Sequence, residues 1–232
     1  MARPELKISG VSIVLLGQFN PAIFSPAWFS MHDLLPKMVA ENANLQIARK
    51  ELIEFSTEWL ELFVTHDRFS ASTIVAPHVR VRDLVVRVFG EHLFHTPVTA
   101  FGINRQLHFD VGSNESREHI GRALAPTEPW GEIADLLHLN EEQNGMVSLV
   151  MRQNNPLGRS LGGQINIHVE PSNQIGDGKT GVYVEVNDHY SSGTAESGEE
   201  INLIEFLGKE YENSIRQADK IADHLISLAT VS

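Results

Sequence analysis

The sequence predicts an α+β protein: a mostly antiparallel mixed sheet, or two related sheets, with helices on one face and a long C-terminal helix. Three observations carry this. Residues 11–16 (Val-Ser-Ile-Val-Leu-Leu) are nearly unbroken apolar, as in a strand covered on both faces. Met146–Arg152, Gln164–Glu170 and Gly181–Asn187 are three strand-like runs separated by turn-rich segments, the pattern of an antiparallel meander. From Ile201 to about Leu228, Ile204, Leu207, Tyr211, Ile215, Ala218, Ala222 and Leu225 recur at intervals of three and four with charges between them, the stripe of an amphipathic helix.

In chain order, the apolar run 11–16 is the candidate central strand, and Gly17-Gln18-Phe19-Asn20-Pro21 breaks it, because proline offers no ladder donor. A helix then starts with Ser25 as N-cap and Pro26 in its first position, with Trp28, Met31, Leu34, Leu35 and Met38 as its apolar stripe. The large side chains Phe19, Ile23, Phe24, Trp28, Phe29 and Met31 make this passage a packing hub, either as a plug between strand and helix or as the lining of a pocket.

Asn44–Ser56, only roughly alternating, is expected to contain one strand. Thr57–Thr65 and Arg68–Ala76 flank a short His66-Asp67 turn, hence an antiparallel hairpin. Val79–Leu93, between Pro77 and Pro97, places Val81, Leu84, Val85, Val88, Phe89 and His92 at helical spacing. Pro97–Val111 reads as a strand with Gly102 as a candidate bulge, and Ser116–Leu124 as a short helix. Ala125–Gly131 is the best candidate linker, dividing an N-terminal α+β half (1–125) from C-terminal strands plus helix (132–232), with one continuous domain as the alternative. Ser191–Glu200 is a polar loop expected to be mobile. No repeat or low-complexity tract is visible in the sequence.

Composition narrows the function classes. The 232 residues can bury a core without staples. The absence of cysteine removes disulfides, thiolate metal sites and cysteine nucleophiles, and fits a reducing cytosol. No run approaches the ~20 apolar residues of a membrane span, so a soluble cytoplasmic protein is expected. The net charge of −12 is lopsided: 10 basic and 12 acidic residues fall in 1–116, 8 and 18 in 117–232. That field repels phosphate backbones and disfavours nucleic acid. Arg68, Arg80, Arg82, Arg87 and Arg105 are the one basic concentration, read as a solvated helix face paired with Asp83 and Glu91.

Candidate chemistry is sparse. Gly176-Asp177-Gly178-Lys179-Thr180 imitates a phosphate loop, but Asn173 stands where that loop needs glycine, and strands flank both sides; a hairpin turn is expected. Asn155, Gly158, Arg159 and Gly162 form a better ligand candidate, with glycine amides and a guanidinium that could converge on an anion. Among eleven histidines, His92 and His95 lack the order of the helical zinc-protease motif. A zinc or manganese site, if present, falls to His168, Glu170 and His189; no cofactor is the leading expectation. Ser191 and Ser192 beside Asp188 and His189 supply a triad's residue types, but within one segment, where neighbours do not face one another. Phe24, Trp28, Tyr211 and Ile215 are the candidate interface residues, the last two through a helix seam that could pair with a second copy.

Thr65-His66-Asp67-Arg68-Phe69 in a strand pair, then Gly102-Ile103-Asn104 on a later strand and a strand-rich second half ending in a helix, resemble a sporadically distributed family of uncharacterised bacterial proteins. The resemblance implies a bacterial, cytoplasmic α+β protein working with partners, and no known activity, cofactor or catalytic residue. The leading expectation is a non-enzymatic binding or assembly subunit, homo-oligomeric and joined to a protein partner. The alternatives are a metal-dependent hydrolase using the strand histidines, and a small-ligand or nucleotide sensor.

Overall fold

Val11, Ile13 and Leu15 of β1 (Glu5–Gly17), the middle strand of nine, have no exposed surface, because these positions face the helices. In the computed structural model, which describes residues 4–139, 141, 144–191 and 201–229, one antiparallel sheet runs in the order β2-β3-β4-β5-β1-β6-β9-β8-β7. The remaining strands are β2 (Asn44–Ala48), β3 (Leu52–Ser56), β4 (Glu61–Thr65), β5 (Arg68–Thr73), β6 (Val98–Asp110), β7 (Leu149–Asn154), β8 (Gly163–Pro171) and β9 (Gly181–Ser191). The helices are α1 (Pro26–Met31), α2 (Lys37–Glu41), α3 (Val79–Arg87), α4 (Asn114–Leu124), α5 (Glu132–Leu136) and α6 (Leu203–Ser227). The fold class is therefore as the sequence predicts, with the sheet running unbroken from β6 to β9 across the 125–132 stretch.

The topology contains an order invisible in the sequence. β1 is followed by α1 and α2, then by a meander whose last strand, β5, returns to pair with β1; α3 follows. β6 is likewise followed by α4 and α5, then by a meander whose last strand, β9, returns to pair with β6; α6 follows. The halves meet where β1 and β6, both 13 residues long, pair antiparallel from Glu5↔Asp110 to Gly17↔Val98.

Local chemistry places each element. The Ser25 hydroxyl accepts from the Trp28 amide at 3.2 Å, the expected cap. The predicted stripe on this helix fails after Met31: Asp33 takes a left-handed backbone (φ 52), and Leu34 and Leu35 are buried while Met31 and Met38 point outward. Asn44–Ser56 is two strands, since Arg49 and Leu52 exchange backbone hydrogen bonds and reverse the chain. Gly102 is not a bulge; the β1–β6 register shifts instead at Leu6/Ile8 and Leu16/Gly17. A side chain at Gly102 would crowd the Asn187 amide at 3.2 Å, so its smallness serves space. Gly176–Gly178 is a tight turn joining antiparallel β8 and β9, as expected. Residues 192–200, where a mobile loop is expected, lie outside the described residues.

Strand alternation assigns the two faces. On one, Val11, Ile13, Leu15, Phe55, Leu62, Phe69, Phe101 and Ile103 meet α1, α3 and the first half of α6. Leu107, Phe109, Ile165, Val169, Val182, Val184 and Val186 meet α4 and the second half of α6 as a second cluster. Between the clusters lies Arg105, 8% exposed, whose guanidinium donates to Asp219 on α6 (2.8 Å), to the Ser9 hydroxyl (2.8 Å) and to the Gly10 carbonyl (3.1 Å). The opposite face carries Ser12, Val14 and Leu16 of β1, so the central strand is sealed on the helix side alone.

The hub around Phe19–Phe29 is a core plug. Phe69 has Phe19, Phe24 and Phe89 within 6.3, 5.4 and 4.9 Å between ring centroids. Phe24 and Tyr211, expected at an interface, are 1% and 2% exposed and belong to this interior; Trp28 and Ile215 are partly buried against it. Removing the Phe69 ring opens a cavity that the flanking strands cannot close. Phe69→Ala is expected to lower unfolding free energy by about 3–5 kcal/mol in urea titrations, with the slope unchanged.

Candidate functional site

The face opposite the helices carries the titratable groups the sequence singled out, and register determines which of them meet. Because successive strand side chains alternate, Gln164, Asn166, His168 and Glu170 of β8 and Tyr183, Glu185, Asn187 and His189 of β9 all lie on this open face. One polar row crosses the whole sheet in register: Asn44, Ser56, Glu61, Ser72, Ser12, Asn104, Asn187, Asn166 and Arg152, one from each strand. Its side chains bond along the row. Asn104 donates to the Ser12 hydroxyl (3.0 Å), Asn187 donates to the Asn104 carbonyl oxygen, Asn166 donates to Asn187 (3.4 Å), and Arg152 donates to Asn166 (2.7 Å).

His168, Glu170 and His189 share this face but do not converge. His168 Nε2 lies 3.2 Å from Glu170 and 2.9 Å from the Ser148 hydroxyl. His189 pairs with Gln164, four residues along β8 from His168, which is roughly 13 Å of extended chain. Among the described residues no three histidine or carboxylate side chains gather as a metal site would require. Asp188 and His189, adjacent in sequence, point to opposite faces, so strand alternation alone separates the triad's residue types; Ser192 lies outside the described residues.

The loop between β7 and β8 is put to a different use from the anion clamp its sequence invites. Asn155, Gly158 and Gly162 are exposed, and Asn155 closes the hairpin by donating its amide to the Gly163 carbonyl at 2.8 Å. Arg159 turns inward and donates to Asp188, with its guanidinium 4.4 Å from the Tyr190 ring centroid. Asp188 also accepts from Tyr190 (3.0 Å) and from Ser214 of α6 (2.6 Å). The carboxylate is thereby satisfied by three partners, and burial pushes the Tyr190 phenol up to about 12. This buried network ties loop, sheet and helix together. The sequence did offer a signal for it: Asp188 occupies the apolar parity of Val182, Val184 and Val186, where an unpartnered charge cannot stay.

The basic concentration disperses in the same way. Arg105 is buried, Arg80 lies over Trp59 at 4.5 Å, Arg82 pairs with Asp83 at 2.6 Å, and Arg87 donates to the Asp33 carbonyl at 3.1 Å.

Among the described residues, a concavity of about 320 Å³ opens on the polar face beside Gly10, Gln106, His108, Glu170, Ser172 and Tyr183, and a smaller one of about 200 Å³ beside Glu54, Glu61, Ser70 and Ser72. His108, 7% exposed, bonds Ser172 at 2.7 Å and lies against the Tyr183 ring at 4.7 Å between centroids. Ser172 also accepts from the Gln174 amide, so its own proton is free to go to the imidazole. Gln106 donates to Glu185 at 3.1 Å, and burial together with that carboxylate raises the Tyr183 phenol well above its ordinary value. The lining of this larger concavity carries no Lys or Arg, and its groups are neutral donors beside one carboxylate. The sequence reading missed His108 and Tyr183, which sit on different strands and meet only through the β6–β9 register.

Two expectations follow. Arg159→Ala strands the Asp188 carboxylate in the interior and is expected to cost about 3–5 kcal/mol of stability by chemical denaturation, whereas truncation of Leu157, 99% exposed in the same loop, is expected to be nearly silent. The second concerns pH. Desolvation holds His78, His108 and His189 below the ordinary imidazole value of 6.5. The unfolded chain takes up these protons first, so the stability they contribute is full above 6.5 and is lost as pH falls through that value toward the folded ones. Urea midpoints at about pH 7.5 and 5.5 should fall on acidification, and His108→Gln should shallow the fall.

No protein-family model matches this sequence, and no curated protein matches it either, so side-chain geometry carries the functional reading.

Proposed function

We propose that this chain is a non-enzymatic binding or assembly subunit of a bacterial multi-protein system, self-associating and working in the cytoplasm. The observation that carries it is an apolar surface after α4. Trp130, Ile133, Leu136 and Leu137 are 56%, 52%, 75% and 51% exposed within one short turn-and-helix segment. Singly exposed apolar side chains are ordinary; four large ones within eight residues mark a surface that another protein covers. Glu128, Glu132 and Asp135 rim them, an arrangement that favours a partner with basic residues around an apolar centre.

The polar groups support the same reading. The open-face row and the Asp188 network bond to themselves, which stiffens a platform and leaves its periphery to make contacts. The hydrolase reading draws less support, because the two strand histidines stand apart; the sensor reading draws less because Arg159 is engaged inside. The chain's negative field opposes polyanions, and among the described residues no helix is long and apolar enough to cross a membrane. The bacterial setting rests on the family resemblance.

The test is affinity capture from the source cell with the wild type and Leu136→Asp in parallel. A stoichiometric partner retained by the wild type and reduced at least about tenfold by the variant, at unchanged thermal stability, is the expected outcome. Equal capture by both proteins would remove this surface from consideration.

A further inference from the structure

The two edges of the sheet are built differently. At one, the pairing of β2 with β3 shifts between Leu45 and Ile47, an irregularity that twists an edge away from further pairing. At the other, β7 pairs with β8 in unbroken register from Leu149↔Val169 to Asn154↔Gln164, contains no proline, and exposes Val150 and Met151, each at 58%. A regular apolar edge with a single charge is an unguarded template for another strand.

We propose that two copies of this chain join through β7, antiparallel, about a two-fold axis passing at Val150, so that two nine-stranded sheets become one. The register follows from chemistry. Residues directly opposite in an antiparallel pair share a face, so a two-fold axis normal to the sheet sets one residue against its own copy. Centring on Arg152 opposes like charges, and centring on Met151 sets Val150 against an arginine. Centring on Val150 places Leu149 against the partner's Met151, and Met151 against the partner's Leu149, on the helix side. Met151 already stands beside Ile167 there, at the partly buried margin of the second core cluster, so the dimer extends an existing apolar surface.

The open side is complementary in charge. Arg152 comes opposite the partner's Ser148, whose hydroxyl holds His168 in the pair with Glu170. One strand inward, that half-exposed carboxylate is within reach of the long arginine side chain once it exchanges its bond to Asn166 for this one, and the axis repeats the contact. This deepens the self-association in the reading above and rests on it, but it uses none of the Trp130–Leu137 surface.

The chain contains no cysteine, so an introduced thiol has no competitor. At the axis the two 150 positions lie about 4.5–5.5 Å apart between Cα atoms, inside the range a disulfide spans; the two 151 positions are offset by two residues and lie outside it. Under mild oxidation Val150→Cys is expected to form a covalent dimer nearly quantitatively, and Met151→Cys at least about tenfold less. Light scattering is expected to give twice the 25.8 kDa chain mass for the wild type, and the single-chain mass for Met151→Lys. A wild type that stays monomeric up to about 100 µM overturns the proposal, as do equal cross-linking at 150 and 151 and a dimer that persists in Met151→Lys. Should the lysine variant fail to fold, the cysteine pair decides alone. Loss of this dimer with Leu136-dependent capture intact would separate the two readings.

Discussion

The antiparallel pairing of β1 with β6 is the constraint on which the rest of the molecule depends. These two strands are as long as any in the sheet, and every other strand is added outward from one of them. Their partners are nearly a hundred residues apart in the chain, so closing this ladder carries the largest loop entropy in the fold, and each meander adds locally once it exists. Both strands spend their odd-numbered positions on the helix side over this central stretch, from Val11↔Arg105 to Leu15↔Phe101. A slip of one residue would turn that whole apolar set outward.

From that pairing the covering layer follows. α6 is long enough to cross both core clusters, and Arg105 marks the point of crossing, a charge placed between two apolar clusters and held by Asp219, Ser9 and Gly10. A guanidinium so enclosed gives little net stability, because its desolvation offsets most of the attraction. What it supplies is position: α6 can sit in only one register along the sheet if Asp219 is to reach it. The Arg159–Asp188–Ser214 network does the same for α6 five residues nearer its N-terminus, and for the β7–β8 loop. Two ionic contacts, each with an enclosed guanidinium, thus align one helix against β1, β6 and β9.

The open face is organised by a different economy. Its centre is built from small or amide side chains, Gly10, Ser12, Gly102, Asn104 and Asn187, that bond laterally and leave little reactive capacity. Reach and exposure lie at the margins instead, in the Trp130–Leu137 segment and on the β7 rim. A rigid centre with exposed apolar margins is the arrangement that the proposed joining role would use.

Much of this was legible in the sequence. The apolar run at 11–16 marked the central strand, Ser25-Pro26 marked a helix start, the short His66-Asp67 link marked a hairpin, and the stripe from Ile204 to Leu225 marked α6, because each signal is local and periodicity reports it directly. The split of 44–56 into two strands and the end of the first helix after Met31 were not legible, since a three-residue reversal and one left-handed aspartate leave the hydrophobic pattern almost unchanged. What tertiary structure alone decided is which polar groups meet. Strand alternation sends Asp188 and His189 to opposite faces, register holds His168 and His189 apart, and the same register brings His108 to Tyr183 from strands far apart in the chain. Composition and spacing determine which elements form and which face of each is greasy; the pairing of distant strands, set by the fit of the whole core, determines whose side chains become neighbours.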